Sequence, residues 1–195
     1  MGTAHSMAKT KVFFLVTLLL GSVSQAGESP PTVKPQASPK QKLIMGWLES
    51  VFIKPWNRRL TAKLDTGAKT SSLHADNIEH FRKNGEDWVR FALGDTEDKK
   101  LPPIIAEKPL VRTVNIKCKG EDCQPSKRDV VVLTVCKNGK DYEAEFNLVD
   151  RSNFNYPVLL GRSFLKGVVL VDPAETFLFK ADLDPCLGKD GTAHP

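Results

Sequence analysis

What this 195-residue sequence lacks closes off several classes of function. No apolar run reaches the roughly 20 residues that a helix needs to cross a bilayer. The longest, VFFLVTLLLGSV, is about a dozen. The net charge of +5 has no long basic block behind it, so nothing points to nucleic acid as a partner. There is no His-Glu-x-x-His for a catalytic zinc and no Gly-x4-Gly-Lys-Ser/Thr for a nucleotide phosphate. Cys-x2-Cys pairs are missing too, and His74, His80 and His194 do not supply the spacing of a His-x3-His partner. No metal and no cofactor is expected. Cysteine itself is scarce: Cys118, Cys123, Cys136 and Cys186 are the whole set.

What is present begins with a leader. Lys9 and Lys11 precede the short apolar run, which ends in the small residues before Ala26, the pattern of a secretory signal peptide cleaved after Ala26. Its removal lowers the net charge from +5 to +3. Residues 27–42, GESPPTVKPQASPKQK, have almost nothing to bury and read as a flexible Pro/Ser/Lys-rich tether. Residues 43–185 are one domain's worth of chain, and 186–195 form a C-terminal tail. The leader predicts a periplasmic or secreted protein, with no membrane span after cleavage. In such an oxidising compartment the four cysteines are disulfide candidates. Cys118 and Cys123 are near enough in sequence to close a small loop, leaving Cys136 with Cys186, but four cysteines permit three pairings and the sequence does not choose among them.

The domain reads as strands. LIMGWLESVFI (43–53) is apolar and β-rich, and Leu60, Ala62 and Leu64 alternate with Thr61 and Lys63. The first half of SSLHADNIEHF and then DWVRFAL (87–93) follow as strands. Gly94 to Pro109, charged and carrying three prolines, reads as an exposed loop. DVVVLTVCKNGKDYEAEFNLVD is a hairpin turning at Asn138-Gly139, its outgoing strand apolar on both faces and so central in its sheet. YPVLLG is a further strand, RSFLKG a short helix capped by Ser163 and ended by Gly167, and VVLVDPAETFLF two short strands around Asp172-Pro173. Short strands, frequent turns and little helix predict a mostly-β fold, a barrel or a sandwich.

Chemistry centres on Asp65-Thr66-Gly67, at the end of the strand over 60–64. A carboxylate that is to act as general base or acid near neutral pH needs a perturbed pKa, and the direct device is a second carboxylate sharing its proton. Gly67 permits a tight turn that aims Asp65, and Thr66 offers a hydroxyl to brace an opposite loop. The sequence holds one Asp-Thr-Gly and no Asp-Ser-Gly, so the second carboxylate has to come from a second copy at a two-fold axis. Gly161-Arg162-Ser163 between a strand and a helix invites comparison with a nucleophile elbow, but Leu165 stands where the second glycine belongs.

LDTGA at 64–68 and VLLGRSFL at 158–165, with a strand-turn-strand between them, resemble the retropepsins. DTGAKTSSLHA and RSNFNYPVLLGR resemble more closely a bacterial retropepsin-like group known as DUF785 and often labelled "ATP-dependent zinc protease", found near glutamate-ligase-like proteins. The resemblance covers about residues 43–180. It implies a small closed barrel of the acid-protease type with one or two short helices. It also implies an aspartic endopeptidase in which Asp65, Thr66 and Gly67 are catalytic and Gly161 and Arg162 are structural. Ala68, Lys69 and His74 would then lie on the substrate side, although for His74 the residues themselves favour a histidine satisfied within the sheet. A peptide or protein is the implied substrate and a homodimer the implied assembly. The alternative on the same fold is a non-catalytic module that holds a peptide or a glutamate-rich ligand. Lys69 stands where retropepsins usually carry an aspartate, which deprives Arg162 of its usual carboxylate partner. The segment matching the flap, RTVNIKCKGEDCQPSK, has no Gly-rich tip, and a Cys118 to Cys123 bridge would stiffen it instead.

Overall fold

The structure, a computed structural model, describes residues 41–94, 102–116, 126–180 and 185–187. The leader, nearly all of the tether, and Cys118 with Cys123 lie outside the described residues. Strand β1 (Leu43–Lys54) turns through Asn57, which adopts φ 49°, and returns as β2 (Arg58–Leu64) in antiparallel register from Leu48↔Lys63 to Ile53↔Arg58. Beyond the Asp65 loop come β3 (Ser71–His74), β4 (Asp76–Lys83) and β5 (Glu86–Leu93), then β6 (Ile104–Pro109) and β7 (Arg112–Ile116). The hairpin of β8 (Ser126–Lys137) and β9 (Lys140–Val149) turns at Asn138 and Gly139, both with positive φ as expected. The short β10 (Val158–Leu160), helix α1 (Arg162–Leu165), β11 (Val169–Thr176) and a 3-10 turn (Pro185–Leu187) complete the described chain.

Six strands close into a barrel in the order β1, β2, β10, β3, β9, β8. The seam is closed by antiparallel pairs Phe52↔Cys136, Ile53↔Val135 and Lys54↔Thr134 between β1 and β8. Closure leaves these six strands without free edges and turns one face of each inward. Ile53, Leu60, Ala62, Leu73, Val131, Leu133, Phe146, Leu148, Val158 and Leu160 fill the interior and are essentially solvent-free. Each large side chain so buried contributes about 1.5–3 kcal/mol, so alternation of apolar residues is enough to fix the register. β11 flanks β1 in parallel, and β7 flanks β8 as an edge. A three-stranded sheet, β4-β5-β6, stands beside the barrel and sends Val89, Phe91, Leu93 and Ala106 into the same core. No helix of the described residues is long and apolar enough to cross a membrane.

Several local expectations are corrected. Both halves of SSLHADNIEHF are strand, β3 and β4. Part of the expected loop from Gly94 to Pro109 is β6, paired with β5 from Trp88↔Pro109 to Leu93↔Ile104. Asp172-Pro173 does not divide two strands. β11 runs through it, and a register shift between Gly46 and Leu48 of β1 absorbs the irregularity. Helix α1 is shorter than expected, and its N-cap is Gly161, with no side-chain cap, rather than Ser163.

Candidate active site

The topology brings the two motifs together. β10 lies between β2 and β3, parallel to the first (Val158↔Ala62, Leu160↔Leu64) and antiparallel to the second (Val158↔Leu73). The loop joining β2 to β3, residues 65–70, must therefore step over the end of β10. Backbone bonds lock the crossing: Asp65 N–H donates to Leu160 O at 2.9 Å, Arg162 N–H to Ala68 O at 2.9 Å, and Ser163 N–H to Lys69 O at 3.0 Å. Gly161 sits under the loop, where a Cβ would meet Thr70 O at 2.5 Å. Its N–H donates to Ser71 Oγ at 3.1 Å, and Asn147 Nδ2 on β9 holds Thr70 Oγ1 at 2.9 Å.

Asp65 is partly exposed at this crossing. Its Oδ1 accepts the N–H groups of Gly67 and Ala68 at 2.9 and 3.1 Å, and Lys63 Nζ donates to Oδ2 at 3.2 Å. Burial pushes the carboxyl pKa up. The Lys63 hydrogen bond, the two backbone N–H groups and the Lys63 charge together outweigh it, and the pKa lies below the ordinary 3.8. In the single chain Asp65 is therefore an ionised base near neutral pH. Gly67 is needed for room: a Cβ there would stand 3.1 Å from Asp65 Oδ1, and its φ is not in the left-handed region that the tight-turn expectation invoked. Thr66, Gly67 and Lys69 are exposed and Ala68 half-buried.

Arg162 replaces its missing carboxylate partner with main chain. Its Nη1 donates to Thr66 O at 3.0 Å and to Gly67 O at 2.7 Å, so the guanidinium braces the Asp-Thr-Gly backbone from below. Arg151 behaves alike, donating to Ser72 Oγ at 2.8 Å and Tyr156 O at 3.0 Å. Both arginines spend these bonds on uncharged oxygens.

His74 is buried at the end of β3. Its Nδ1 accepts Arg151 N–H at 2.9 Å, which leaves the proton on Nε2, 3.2 Å from Asp76 Oδ2. Asp150 Oδ1 is 3.7 Å from Nδ1. His74, Asp76 and Asp150 form a group whose donor atoms lie within 4.8 Å of one another, the geometry a metal would want. The chemistry fits poorly, because one imidazole nitrogen is committed to a backbone N–H and the other carries a proton toward Asp76. Lys63 was missed by sequence reasoning. Its only signal was a position two residues before Asp65, which puts both side chains on one face of a strand. Cys136 and Cys186 form a disulfide, one of the pairings the sequence left open.

A family model described as "RimB-like: Retropepsin-like aspartic endopeptidase RimB" matches residues 44–182. A probable alpha-L-glutamate ligase from Shewanella pealeana is 35% identical over 132 residues, covering 68% of this chain and 27% of that protein. Another, from Desulfotalea psychrophila, is 32% identical over 59% of this chain and 24% of its own length. The chain thus spans about a quarter of the curated relatives it matches. Among solved structures, a Legionella pneumophila protein of unknown function, described as DUF785, is 36% identical with a TM-score of 0.61, covering 71% of this chain and 98% of that one. The label "ATP-dependent zinc protease" attached to the resembling group does not recur in these descriptions, which name an aspartic endopeptidase and glutamate ligases.

Proposed function

The chain belongs to the RimB-like family of retropepsin-like aspartic endopeptidases, and from that membership we propose that it hydrolyses peptide bonds as an exported, periplasmic or secreted homodimer. The Asp65 carboxylates of two protomers share one proton and hold a water between them. The ionised carboxylate takes a proton from that water as its oxygen attacks the peptide carbonyl carbon, while the protonated carboxyl gives its proton to the carbonyl oxygen. The tetrahedral intermediate, a gem-diol, then collapses: the C–N bond breaks, the departing nitrogen takes a proton from one carboxyl, and a hydroxyl of the intermediate returns its proton to the other carboxylate, so that the pair again holds one proton. The pair titrates as a unit.

The observation that carries this reading is the setting of Asp65: partly exposed, on a loop held by two backbone N–H groups and by Arg162. A preorganised carboxylate of this kind is half of an aspartic site. Thr66, exposed beside it, is free to meet the opposite loop. The relatives named as probable glutamate ligases support glutamate-rich peptides or protein tails as the substrate class. Beyond the Lys63–Asp65 pair, Lys69 and Arg162 give the loop the positive charge that such a chain needs.

One observation favours the second reading, a module that binds a peptide or a glutamate-rich ligand without cleaving it: in the single chain Lys63 already neutralises Asp65. Light scattering and cleavage of oligoglutamyl peptides decide between them. A dimer whose cleavage falls about a thousandfold or more in Asp65→Asn supports the peptidase. Cleavage unchanged by that substitution overturns the aspartic mechanism. A strict monomer that binds the peptides and leaves them intact favours the binding module.

A further inference from the structure

Lys63 and Asp65 lie two residues apart on and just beyond β2, so they project to the same side. The Lys63 ammonium is 3.2 Å from Oδ2, the oxygen that the Gly67 and Ala68 N–H groups leave open, so the three donors divide the carboxylate between them. The other cations near the loop are placed differently. Arg162, from the helix behind, bonds to the carbonyls of Thr66 and Gly67, and Lys69 follows in the exposed part of the loop. β10 and β3 face the loop with Leu160 and Ser71, neither of them charged, and the loop's own last residue is the uncharged Thr70. Among the described residues Lys63 is the charged side chain that acts on Asp65.

We propose that Lys63 is a positioning residue of the catalytic site, one that fixes the Oδ2 atom of Asp65 and sets the upper pH limit at which the paired carboxylates keep the proton they share. This rests on the aspartic reading above. The sign follows from charge. A cation at hydrogen-bonding distance favours the ionised form of a carboxylate. In a pair that needs one proton between two oxygens, it lowers the pH at which that proton is lost. The alkaline limb of the pH–rate profile therefore lies lower with Lys63 present than without it. The side chain is 43% exposed, so replacing it leaves the core untouched.

The test is Lys63→Gln in the full chain, with Lys63→Arg as the conservative control. Titration of the Asp65 carboxyl by carbon NMR should show its midpoint rising by about one unit in Lys63→Gln, the low end of the range for a close opposite charge because both groups are partly exposed. The alkaline limb of kcat/KM on an oligoglutamyl peptide should move up with it, and Lys63→Arg should hold both near the wild-type values. An Asp65 midpoint unchanged in folded Lys63→Gln overturns the proposal whether or not any peptide is cleaved. A midpoint that rises while the limb stays in place also overturns it. Failure of the wild-type protein to cleave at any pH counts against the peptidase reading instead, since the titration reads the Lys63 contact by itself.

Discussion

Gly161 shows most plainly what a single residue contributes to this site. The Asp65 loop crosses directly over it, and a Cβ at that position would lie 2.5 Å from Thr70 O, 2.7 Å from Thr70 C and 3.0 Å from Thr70 N. These are backbone atoms of the loop itself, so neither side can move aside without displacing Asp65. Gly161→Ala is therefore expected to cost about 1–3 kcal/mol, the usual penalty for overpacking. It should appear as a lower urea midpoint with an unchanged slope. A midpoint within error of wild type would mean that the crossing is looser than its geometry implies. The importance of Gly161-Arg162 was legible in the sequence only through its likeness to a family motif, which gave no reason for it. The reason is steric for the glycine and main-chain hydrogen bonding for the arginine, and both depend on β10 lying between β2 and β3. Lys63 was less legible still. One lysine among many in the chain gains meaning only when strand geometry sets its ammonium on Oδ2.

Among the elements, β7 is an end strand of the eight-stranded sheet, paired with β8 alone among the described strands. Its backbone pairs with β8 from Arg112↔Val130 to Ile116↔Ser126. Two side-chain grips reinforce it: Thr113 Oγ1 donates to Asp129 Oδ1 at 2.9 Å, and Arg112 engages Glu145 at 2.7 and 2.6 Å. The other oxygen of Asp129, Oδ2, lies 2.9 Å from His80 Nε2 on β4. Asp129 is the shared anchor, a buried carboxylate that lines an open pocket of about 430 Å³ together with His80, Thr113, Asn115 and Lys127. It ties the hairpin arm that matches the retropepsin flap to the side sheet. Asp129→Ala would leave both the Thr113 hydroxyl and the His80 imidazole without this partner, and amides of Thr113 to Ile116 should then exchange about tenfold faster. Hydrogen-exchange mass spectrometry reads this directly, with the buried β9 segment Phe146 to Leu148 as the reference that should not change. Equal acceleration of both segments would mean general destabilisation, not release of the arm. The sequence revealed the β8–β9 hairpin because Asn138-Gly139 and strict alternation agree. It hid β6 because a six-residue edge strand, IIAEKP, closed by a proline and preceded by two more, carries too short a period to outweigh its breakers.

For the whole molecule, closure of the barrel is the decisive event, and the seam between β1 and β8 is also where the chain's far end is fastened. Cys186 is buried against Phe52 and Cys136, the two residues paired across that seam, and its disulfide to Cys136 spans a sequence separation of 50. The same terminal segment is tied by Phe177 N–H to Leu48 O at 2.8 Å and by Leu178 N–H to Glu49 Oε1 at 3.0 Å. Lys54 Nζ adds a bond to Cys186 O at 3.1 Å. Short alternating strands, frequent turns and little helix made a barrel or sandwich legible. No pattern in the sequence specified which strands form the seam, because pairing between residues eighty positions apart leaves no local trace. Cross-linking a loop of about 50 residues removes about 4 kcal/mol of chain entropy from the unfolded state. The double substitution Cys136→Ser with Cys186→Ser should therefore lower the unfolding free energy by about 2–4 kcal/mol, with the lower figure applying where the native geometry offsets part of the gain. The barrel itself should survive, because the seam is closed by backbone pairs that the substitutions leave alone. Urea unfolding of the two proteins, followed by far-ultraviolet circular dichroism, checks both halves. A native spectrum with an earlier midpoint is expected, whereas an unchanged midpoint would show that the main-chain ties at Phe177 and Leu178 suffice to hold the terminus.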